Sequence, residues 1–227
     1  MKSKLLSNLT AITFGYNCGI ATEHLIKSFL RLDYNLNEIN FVIADNSTKS
    51  IYDYELSKKY NIKYIDNRDN KLHFSTDNTE TWGSTSHSKL IQYCIDHVVN
   101  TKYLLIMDCD IAIKKRFDIW LEALEITNNI ICGCPHKEGT WNVRIHPCFT
   151  LLNVNKLKLT KQQYFGILQF GKYDTGCELY EKNKNDVLYM DSNIVNTTEF
   201  ENEWFIHYGE LTHNVNKFNT IKKLLYK

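Results

Sequence analysis

The chain has 227 residues, of which 43% are hydrophobic and 23% charged, and its formal net charge at pH 7 is +1. This balance is typical of a globular protein with a sizeable core. No apolar run approaches the roughly 18–20 residues of a membrane-spanning helix, and a net charge so close to zero argues against a broad nucleic-acid-binding surface.

The N-terminus and the cysteines favour a cytoplasmic protein. Residues 1–17 contain no long apolar stretch and no small-residue cleavage site, so we interpret them as mature sequence rather than a signal peptide. Seven cysteines, an odd number, favour reduced thiols over a disulfide framework. The stretch CGCPH at 132–136 lacks the second ligand pair that a structural zinc ion needs, and we expect ordinary buried thiols there.

Strands and helices alternate in the first half of the chain. Strands are predicted over 9–17, 40–48, 62–67 and 102–108, and helices over 19–32, 50–60 and 84–99, with Ser84 as N-cap of the last helix. This alternation predicts an α/β fold with a parallel sheet and helices on both faces. The runs FVIA and YLLIM are continuously apolar, as expected of strands that are buried on both sides.

The second half of the chain does not continue this regular alternation of strands and helices. A helix is predicted over 116–126, strands over 129–135, 148–154 and 203–209, and the start of a helix within 173–183. We interpret residues 116–212 as the second half of the same domain, with a small mixed sheet. The tail, 213–227, carries apolar residues near helical spacing and four lysines. It would either dock on the domain or lie on an anionic membrane surface.

Three of the predicted strands end in polar residues. Tyr16 and Asn17 close the first, Asp45 and Asn46 the second, and Asp108 and Asp110 follow the fourth. Parallel sheets bind their ligands at the carboxyl ends of the strands. The sequence therefore predicts a binding site at this edge of the sheet.

The two carboxylates after the fourth strand predict a metal ion. Residues i and i+2 of an extended segment point the same way, so Asp108 and Asp110 can face one ligand. Two neighbouring carboxylates at a dry strand end repel each other unless a cation or hydrogen-bond donors satisfy them. Mg²⁺ or Mn²⁺ suits such oxygen ligands. The alternative is that Asp108 caps the strand and Asp110 begins a solvated loop.

The stretches TFGYN, ADNST and YLLIMDCD, in this order on successive predicted strands, resemble the GT-A glycosyltransferases, and in particular their family 2-like branch. The resemblance covers residues 9–115 well and 140–209 loosely. It implies a single GT-A (Rossmann-like) domain over 1–227, with a mostly parallel twisted sheet flanked by helices. Residues 1–115 would form the nucleotide-binding half and 116–212 the acceptor-binding half, followed by the tail.

The resemblance also implies which residues hold the nucleotide-sugar. Thr13, Tyr16 and Asn17 would lie against the nucleotide, and Asp45 would hydrogen-bond its base. The glycine-rich segment that this family often carries before the D-x-D helix is absent, because residues 70–90 read NKLHFSTDNTETWGSTSHSKL instead. The candidates for donor-sugar contacts in that region are Trp82, Gly83, Ser84 and His87.

The resemblance further implies the metal ligands. Asp108 would face the ribose or the metal, and Asp110 would ligate the Mn²⁺ or Mg²⁺ ion that bridges the donor diphosphate. His207, in the stretch FIHYG, falls where many metal-dependent members place a late third ligand. The alternative for His207 is a packed histidine in an aromatic strand.

Catalytic and acceptor-side residues are less clearly marked. The acidic pair that often marks the family's base is missing, and its nearest counterpart is Asp174 in YDTGCELYE. Asp174 is the predicted general base, with Glu178 one helical turn later as the second candidate. The alternative for Asp174 is an N-cap. Arg144 would clamp a phosphate or an acceptor carboxylate, or else form a surface salt bridge.

These expectations describe a metal-dependent glycosyltransferase. The expected mechanism inverts the configuration of the anomeric carbon. The donor would be a nucleotide-sugar, with a UDP-sugar as the first choice, and the transferred group a hexosyl or pentosyl unit. The acceptor would be a hydroxyl of a glycan, a lipid-linked molecule or another compound. The alternatives are a non-catalytic nucleotide-sugar-binding relative, a sugar-phosphate nucleotidyltransferase, and a sugar transferase that acts on modified DNA bases, which the neutral charge disfavours.

Overall fold

The computed structural model describes residues 4–48, 50–72, 82–137, 143–160, 175–191, 194–195, 197 and 199–209. Within these ranges the elements are β1 (Leu9–Gly15), α1 (Gly19–Arg31), β2 (Phe41–Asp45), α2 (Tyr52–Tyr60), β3 (Lys63–Asp66), α3 (Trp82–His97), β4 (Tyr103–Asp108), β5 (Ile111–Ile113), α4 (Asp118–Thr127), β6 (Ile131–His136), β7 (Arg144–Asn153), α5 (Val154–Leu159), α6 (Cys177–Asn183), β8 (Val187–Tyr189), β9 (Phe200–Glu201) and β10 (Phe205–His207). Helices and strands alternate from β1 to β4, as the apolar periodicity predicts.

The main sheet has seven strands in the order β3-β2-β1-β4-β7-β6-β8. β7 runs antiparallel to both of its neighbours, and the other pairs are parallel. The predicted α/β class, with a mostly parallel sheet flanked by helices, is therefore confirmed.

Apolar side chains pack on both faces of this sheet. On one face, α1, α2 and α4 cover Leu105 of β4 and Leu151 of β7. On the other face, α3, α5 and α6 cover Ile106 and Leu152 of the same two strands, because successive strand residues point to opposite sides. Each cluster contains side chains from before and after residue 115, so the two halves of the chain share both cores.

A second, smaller sheet is formed by β5, β10 and β9 in that order, all antiparallel. In the pairing of β5 with β10, Ile111 lies opposite His207 and Ile113 opposite Phe205. The ladder is extended on one side by the Tyr208 N–H, which donates to the Asp110 carbonyl at 2.9 Å. This sheet therefore brings residue 207 against the segment that directly follows β4.

Two boundaries near the polar strand ends differ from the prediction. β4 ends at Asp108 and the chain turns before β5, so the strand does not run through Asp110. The helix α3 begins at Trp82, which places Ser84 inside its first turn rather than at its N-cap. The helix therefore starts two residues before the predicted range of 84–99.

The second half contains the larger differences. β7 begins at Arg144 rather than at residue 148, so Arg144 and His146 lie within a strand and not ahead of one. The sequence did not predict β5, β8, β9 or α5, which are 3, 3, 2 and 6 residues long. In the described part of the chain, no helix combines the length and the apolarity that crossing a bilayer requires.

Candidate active site

The polar strand ends lie side by side at the carboxyl edge of the main sheet. Asp66 of β3 is level with Asp45 of β2, Asp45 with Gly15 of β1, and Phe14 of β1 with Asp108 of β4. From β1 the sheet is built outwards through β2 on one side and β4 on the other, so the strand order reverses between β1 and β4. Open α/β sheets bind ligands at such a switch point.

Hydrogen bonds tie the loops after β1 and β2 to each other and to α3. Asn17 has a left-handed backbone with φ 53°, which asparagine tolerates better than most residues, and its N–H donates to Ser47 Oγ at 2.8 Å. Asn46 Nδ2 donates to Ser86 Oγ of α3 at 2.9 Å. Tyr16, half-buried, and Asn17, exposed, lie at the rim of the site. These hydrogen bonds hold the loop after β1 against the loop after β2, and the loop after β2 against α3.

Thr13 and Asp45 are both fully buried. Asp45 Oδ1 accepts from the Ser47 N–H at 2.9 Å, and Oδ2 accepts from the Tyr64 hydroxyl at 2.7 Å. Burial, followed by the bond to this carboxylate, raises the pKa of Tyr64 above its ordinary range. Both oxygens of Asp45 thus already have partners within the fold, and its contact with a nucleotide base stays a prediction.

Asp108, Asp110 and His207 meet at the switch point. His207 Nε2 lies 3.3 Å from Asp110 Oδ1 and 3.8 Å from Asp108 Oδ2, and one ligand atom from each residue lies within 4.8 Å of the others. Two ligands at about 2.0–2.3 Å from one ion are at most about 4.6 Å apart, and both distances from His207 Nε2 are shorter than this limit. Two carboxylates and one imidazole form a donor set that fits a divalent cation such as Mn²⁺ or Mg²⁺.

A second cluster of ligand-type side chains, His146, Cys148 and His207, shares one histidine with the first. The Cys148 N–H donates to His146 Nδ1 at 3.0 Å, so the proton of the neutral ring lies on Nε2, and neither nitrogen offers a free lone pair. Burial raises the pKa of the Cys148 thiol well above its ordinary value, and Asp108 adds to this effect, which disfavours the thiolate that a metal needs. The carboxylate cluster is therefore the better cation site.

His87 of α3 approaches one carboxylate oxygen of Asp108, and His207 approaches the other. His87 Nε2 lies 3.8 Å from Asp108 Oδ1, while His207 approaches Oδ2 at the same distance. The His87 ring also packs against Phe14 at a centroid distance of 5.1 Å. This contact places the first turns of α3 against the carboxylates, which is where the sequence puts its donor-sugar candidates.

Arg144 is 2% exposed and donates through Nη1 to the Thr175 carbonyl at 3.1 Å. Thr175 also accepts, through Oγ1, from the Ser88 hydroxyl of α3 at 3.4 Å. Arg144 is therefore not at the surface, and it helps to hold the segment that enters α6 against the site. Glu178, in the first turn of α6, forms an ion pair with Lys182 one turn later.

Some of the predicted site residues cannot be placed. Asp174 lies outside the described residues, as do residues 213–227 of the tail. Trp82 opens α3 and Ser84 follows in its first turn, but their side chains are likewise outside the described part. Gly83, between them, is exposed, and a Cβ on it would meet no atom within 4 Å.

Two buried residues beside the site carried no functional prediction. Asp53 of α2 lies on the inward face of its helix, three and four residues before the other buried positions, and a helical-wheel pattern of 53, 56 and 57 would have found it. His146 lies beside Pro147, and a proline within a strand indicates a bulge, which often marks an active site. The spacing of residues 53, 56 and 57 and the proline after His146 are both visible in the sequence. Each can be interpreted only once the boundaries of α2 and β7 are known.

No protein-family model matches the chain, and no curated protein matches it in sequence. Its fold is shared with solved structures of GT-A glycosyltransferases. LgtC, a galactosyltransferase in complex with donor and acceptor sugar analogues, has a TM-score of 0.57 and 13% identity over 81% of this chain and 74% of its own. PcManGT, a mannosyltransferase from Pyrobaculum calidifontis in complex with GDP-Man and Mn²⁺, has a TM-score of 0.58 and 9% identity over 87% of this chain and 58% of its own.

A third similar structure is TarS of S. aureus in complex with UDP-GlcNAc, with a TM-score of 0.53 and 12% identity over 96% of this chain. The present chain spans 37% of a longer TarS structure. At such identities the likeness establishes the fold, which is the GT-A glycosyltransferase fold that the sequence predicts. The expected resemblance is confirmed at this level.

Proposed function

We propose that this protein is a metal-dependent glycosyltransferase that moves a hexosyl or pentosyl unit from a nucleotide-sugar to an acceptor hydroxyl. The observation that carries the proposal is the meeting of Asp108, Asp110 and His207 at the switch point of a GT-A fold. The similar structures in complex with UDP-GlcNAc and with GDP-Man and Mn²⁺ support a nucleotide-sugar donor. A UDP-sugar is the first choice.

Asp108, Asp110 and His207 would hold the cation, Mn²⁺ or Mg²⁺. When bound, such a cation neutralises the negative charge that develops on the leaving diphosphate. Without a cation, the two carboxylates would repel the phosphates of the donor. Metal ligation and diphosphate binding are therefore expected to depend on the same three side chains.

The remaining residues would orient the donor. Thr13, Tyr16, Asn17 and Asp45 would border the nucleotide, and Trp82, Gly83 and His87 of α3 would contact the donor sugar, His87 being the one that lies beside Asp108. Arg144 would act through the segment that it holds, because its guanidinium is buried against Thr175. The two halves of the chain, 1–115 and 116–212, would thus contribute the nucleotide and acceptor sides of one cleft.

The acceptor would be activated by a carboxylate. In the inverting version, the acceptor hydroxyl attacks the anomeric carbon in line with the departing nucleoside diphosphate and loses its proton to a general base. We propose Asp174 for this role, with Glu178 of α6 as the alternative. Glu178 would have to exchange its ion pair with Lys182 for the acceptor hydroxyl. The seven buried free cysteines support a reducing compartment, and we place the reaction in the cytoplasm.

The test is a screen of nucleotide-sugars for Mn²⁺-dependent hydrolysis and transfer. Asp110→Asn removes one charged ligand and is expected to abolish turnover with the donor found for the wild type. Asp33→Asn is the matched control, since Asp33 is an exposed residue in the turn after α1, at the opposite edge of the sheet. Full metal-dependent turnover by Asp110→Asn would contradict the ligand assignment, and failure of the wild type with every donor would contradict the function.

A further inference from the structure

His146 lies in an irregular part of β7. The pairing runs from Gly133 with Thr150 to Pro135 with Ile145, so two steps along β6 correspond to five steps along β7. The three extra residues bulge out of the strand, and Pro147, which has no N–H for a neighbouring strand, lies among them. The bulge turns the His146 ring towards the second sheet, where it packs on the His207 ring at a centroid distance of 4.9 Å.

The backbone fixes which nitrogen of His146 can donate. The Cys148 N–H donates to Nδ1 at 3.0 Å, so Nδ1 is an acceptor and the ring proton lies on Nε2 at the far end of the ring. The His136 ring packs against His146 nearly perpendicularly at 4.5 Å, and Phe200 closes another side at 5.8 Å. His146 as a residue keeps an exposure of 8%. His146 therefore presents an oriented N–H donor next to a metal-ligand candidate.

We propose that His146 binds the diphosphate of the nucleotide-sugar, with Nε2–H donating a hydrogen bond to a phosphate oxygen. This inference rests on the proposed function, because it assumes that the diphosphate lies beside the cation held by Asp108, Asp110 and His207. A phosphate oxygen is the substrate atom expected at that place, since the cation and the leaving charge must be adjacent. The hydrogen bond involves no proton transfer and no change in the charge of the ring.

The expected consequence is a separation of metal binding from diphosphate binding. His146→Phe keeps a ring in the stack but removes the donor, and a lost hydrogen bond to a charged group weakens binding by roughly 10- to 100-fold. His146→Gln places an amide N–H near the position of Nε2 and should recover part of this loss. Mn²⁺ binding in the absence of nucleotide should change by less than about twofold in both variants, because neither removes a metal ligand.

The experiment is calorimetric titration of each protein with Mn²⁺ alone, and then with UDP or GDP in the presence of Mn²⁺, using the nucleotide that the wild type binds. His97→Phe, at the exposed C-terminal end of α3, is the matched His-to-Phe control and should bind like the wild type. A wild type that binds neither Mn²⁺ nor nucleotide contradicts the proposed function. A wild type that binds both, together with a His146→Phe variant that binds the nucleotide equally well, contradicts the role of His146 alone.

Nuclear magnetic resonance of the wild type gives a second readout, which does not depend on whether a His146 variant folds. Long-range ¹H–¹⁵N spectra of the histidine rings distinguish the two neutral tautomers, and the His146 ring is expected to carry its proton on Nε2. With diamagnetic Mg²⁺ present, addition of the nucleotide should shift this Nε2–H signal. A proton on Nδ1, or an unshifted signal at saturating nucleotide, would overturn the proposal.

Discussion

Asp53 of α2 is a fully buried carboxyl group that lies against Gly15, the last residue of β1. A Cβ on Gly15 would lie 2.5 Å from Asp53 Oδ2, so glycine at this position is what allows the carboxyl to fit. Neither oxygen of Asp53 has a hydrogen-bond partner within 3.5 Å among the described residues, and the nearby Thr22 hydroxyl lowers the pKa of this carboxyl group less than burial raises it. Burial, followed by the charge of Asp45, raises the pKa of Asp53 to about 7. Below about pH 7 the Asp53 carboxyl group is therefore protonated in the folded protein.

This raised pKa makes the stability of the protein depend on pH. In the unfolded chain an aspartate ionises near pH 3.9, so between about pH 4 and 7 folding takes up a proton and the free energy of unfolding falls as the pH rises. Asp53→Asn removes this contribution, on the order of 2–4 kcal/mol across the window. We expect the variant to gain stability relative to the wild type between pH 5 and pH 8 in urea unfolding.

The control for this pH dependence is Asp33→Asn, because Asp33 is exposed and its replacement should leave the profile of the wild type unchanged. The comparison uses the difference between variant and wild type at each pH, which cancels the titration of the other groups. A difference that is the same at pH 5 and pH 8 would mean that Asp53 ionises normally in the folded protein.

Sequence and structure contribute differently to the identification of single residues. Asp108 and Asp110 could be predicted because an apolar run ending in two carboxylates is a local pattern, and His207 because the resemblance supplies its place. The distances among these residues could not be predicted, since they depend on the pairing of β5 with β10, almost 100 residues apart in the chain. The unusual roles of Asp53 and His146 arise from burial and from one backbone hydrogen bond, neither of which is visible in the residue types.

The helices α1 and α2 show why close packing at an element boundary matters for the site. Gly19 begins α1 directly after the loop that contains Tyr16 and Asn17. It lies against the ring of Tyr52, the first residue of α2. A Cβ on Gly19 would overlap this ring, with Tyr52 Cγ at 2.7 Å. Further along, Glu23 of α1 accepts from Lys59 at 2.7 Å and from the Tyr52 hydroxyl at 3.1 Å. The two helices are thus fixed to each other at the edge where the substrate would bind.

Gly19→Ala is expected to destabilise the protein by about 1–3 kcal/mol, because the new methyl group forces the helices apart. Gly83→Ala is the matched variant, since Gly83 also lies in the first turn of a helix but a Cβ there would meet no atom within 4 Å. It should leave the free energy of unfolding unchanged or raise it slightly, as alanine favours a helix over glycine. Urea denaturation measures the free energy of unfolding of both variants. Equal changes in the two would show that the Tyr52 ring can move aside without destabilising the protein.

Long elements were predictable from their periodicity, and short ones were not. The helices α1 and α3 and the strands β1 and β4 have 13, 16, 7 and 6 residues, enough for the apolar pattern to repeat. β5 and β9 have three and two residues and exist because β10 pairs with both. The sequence predicts that β7 starts at residue 148, four residues after its actual start, because Arg144 to Pro147 form a polar, proline-containing run that pairs irregularly with β6.

At the scale of the whole molecule, the candidate metal site joins parts of the chain that are far apart in sequence. Asp108 and Asp110 follow β4 of the main sheet, whereas His207 belongs to β10 of the second sheet. Phe205 of β10 is buried and stacks on Phe149 of β7 at 4.9 Å, so the second sheet is anchored on the core of the first. A cation bound by all three ligands would link the two sheets in the folded state only.

Mn²⁺ is therefore expected to raise the melting temperature. A ligand present at 100 times its Kd stabilises the folded state by about 2.7 kcal/mol, which corresponds to roughly 5–10 °C for a chain of this size. The shift should be lost in Asp110→Asn and kept in Asp33→Asn. Cys148→Ser separates the two clusters that share His207: it keeps the shift if the cation binds to the carboxylates and loses it if the ion is held by His146 and Cys148. Differential scanning fluorimetry at several Mn²⁺ concentrations measures all four proteins, and a wild type whose melting temperature does not respond would rule out a cation link between the two sheets.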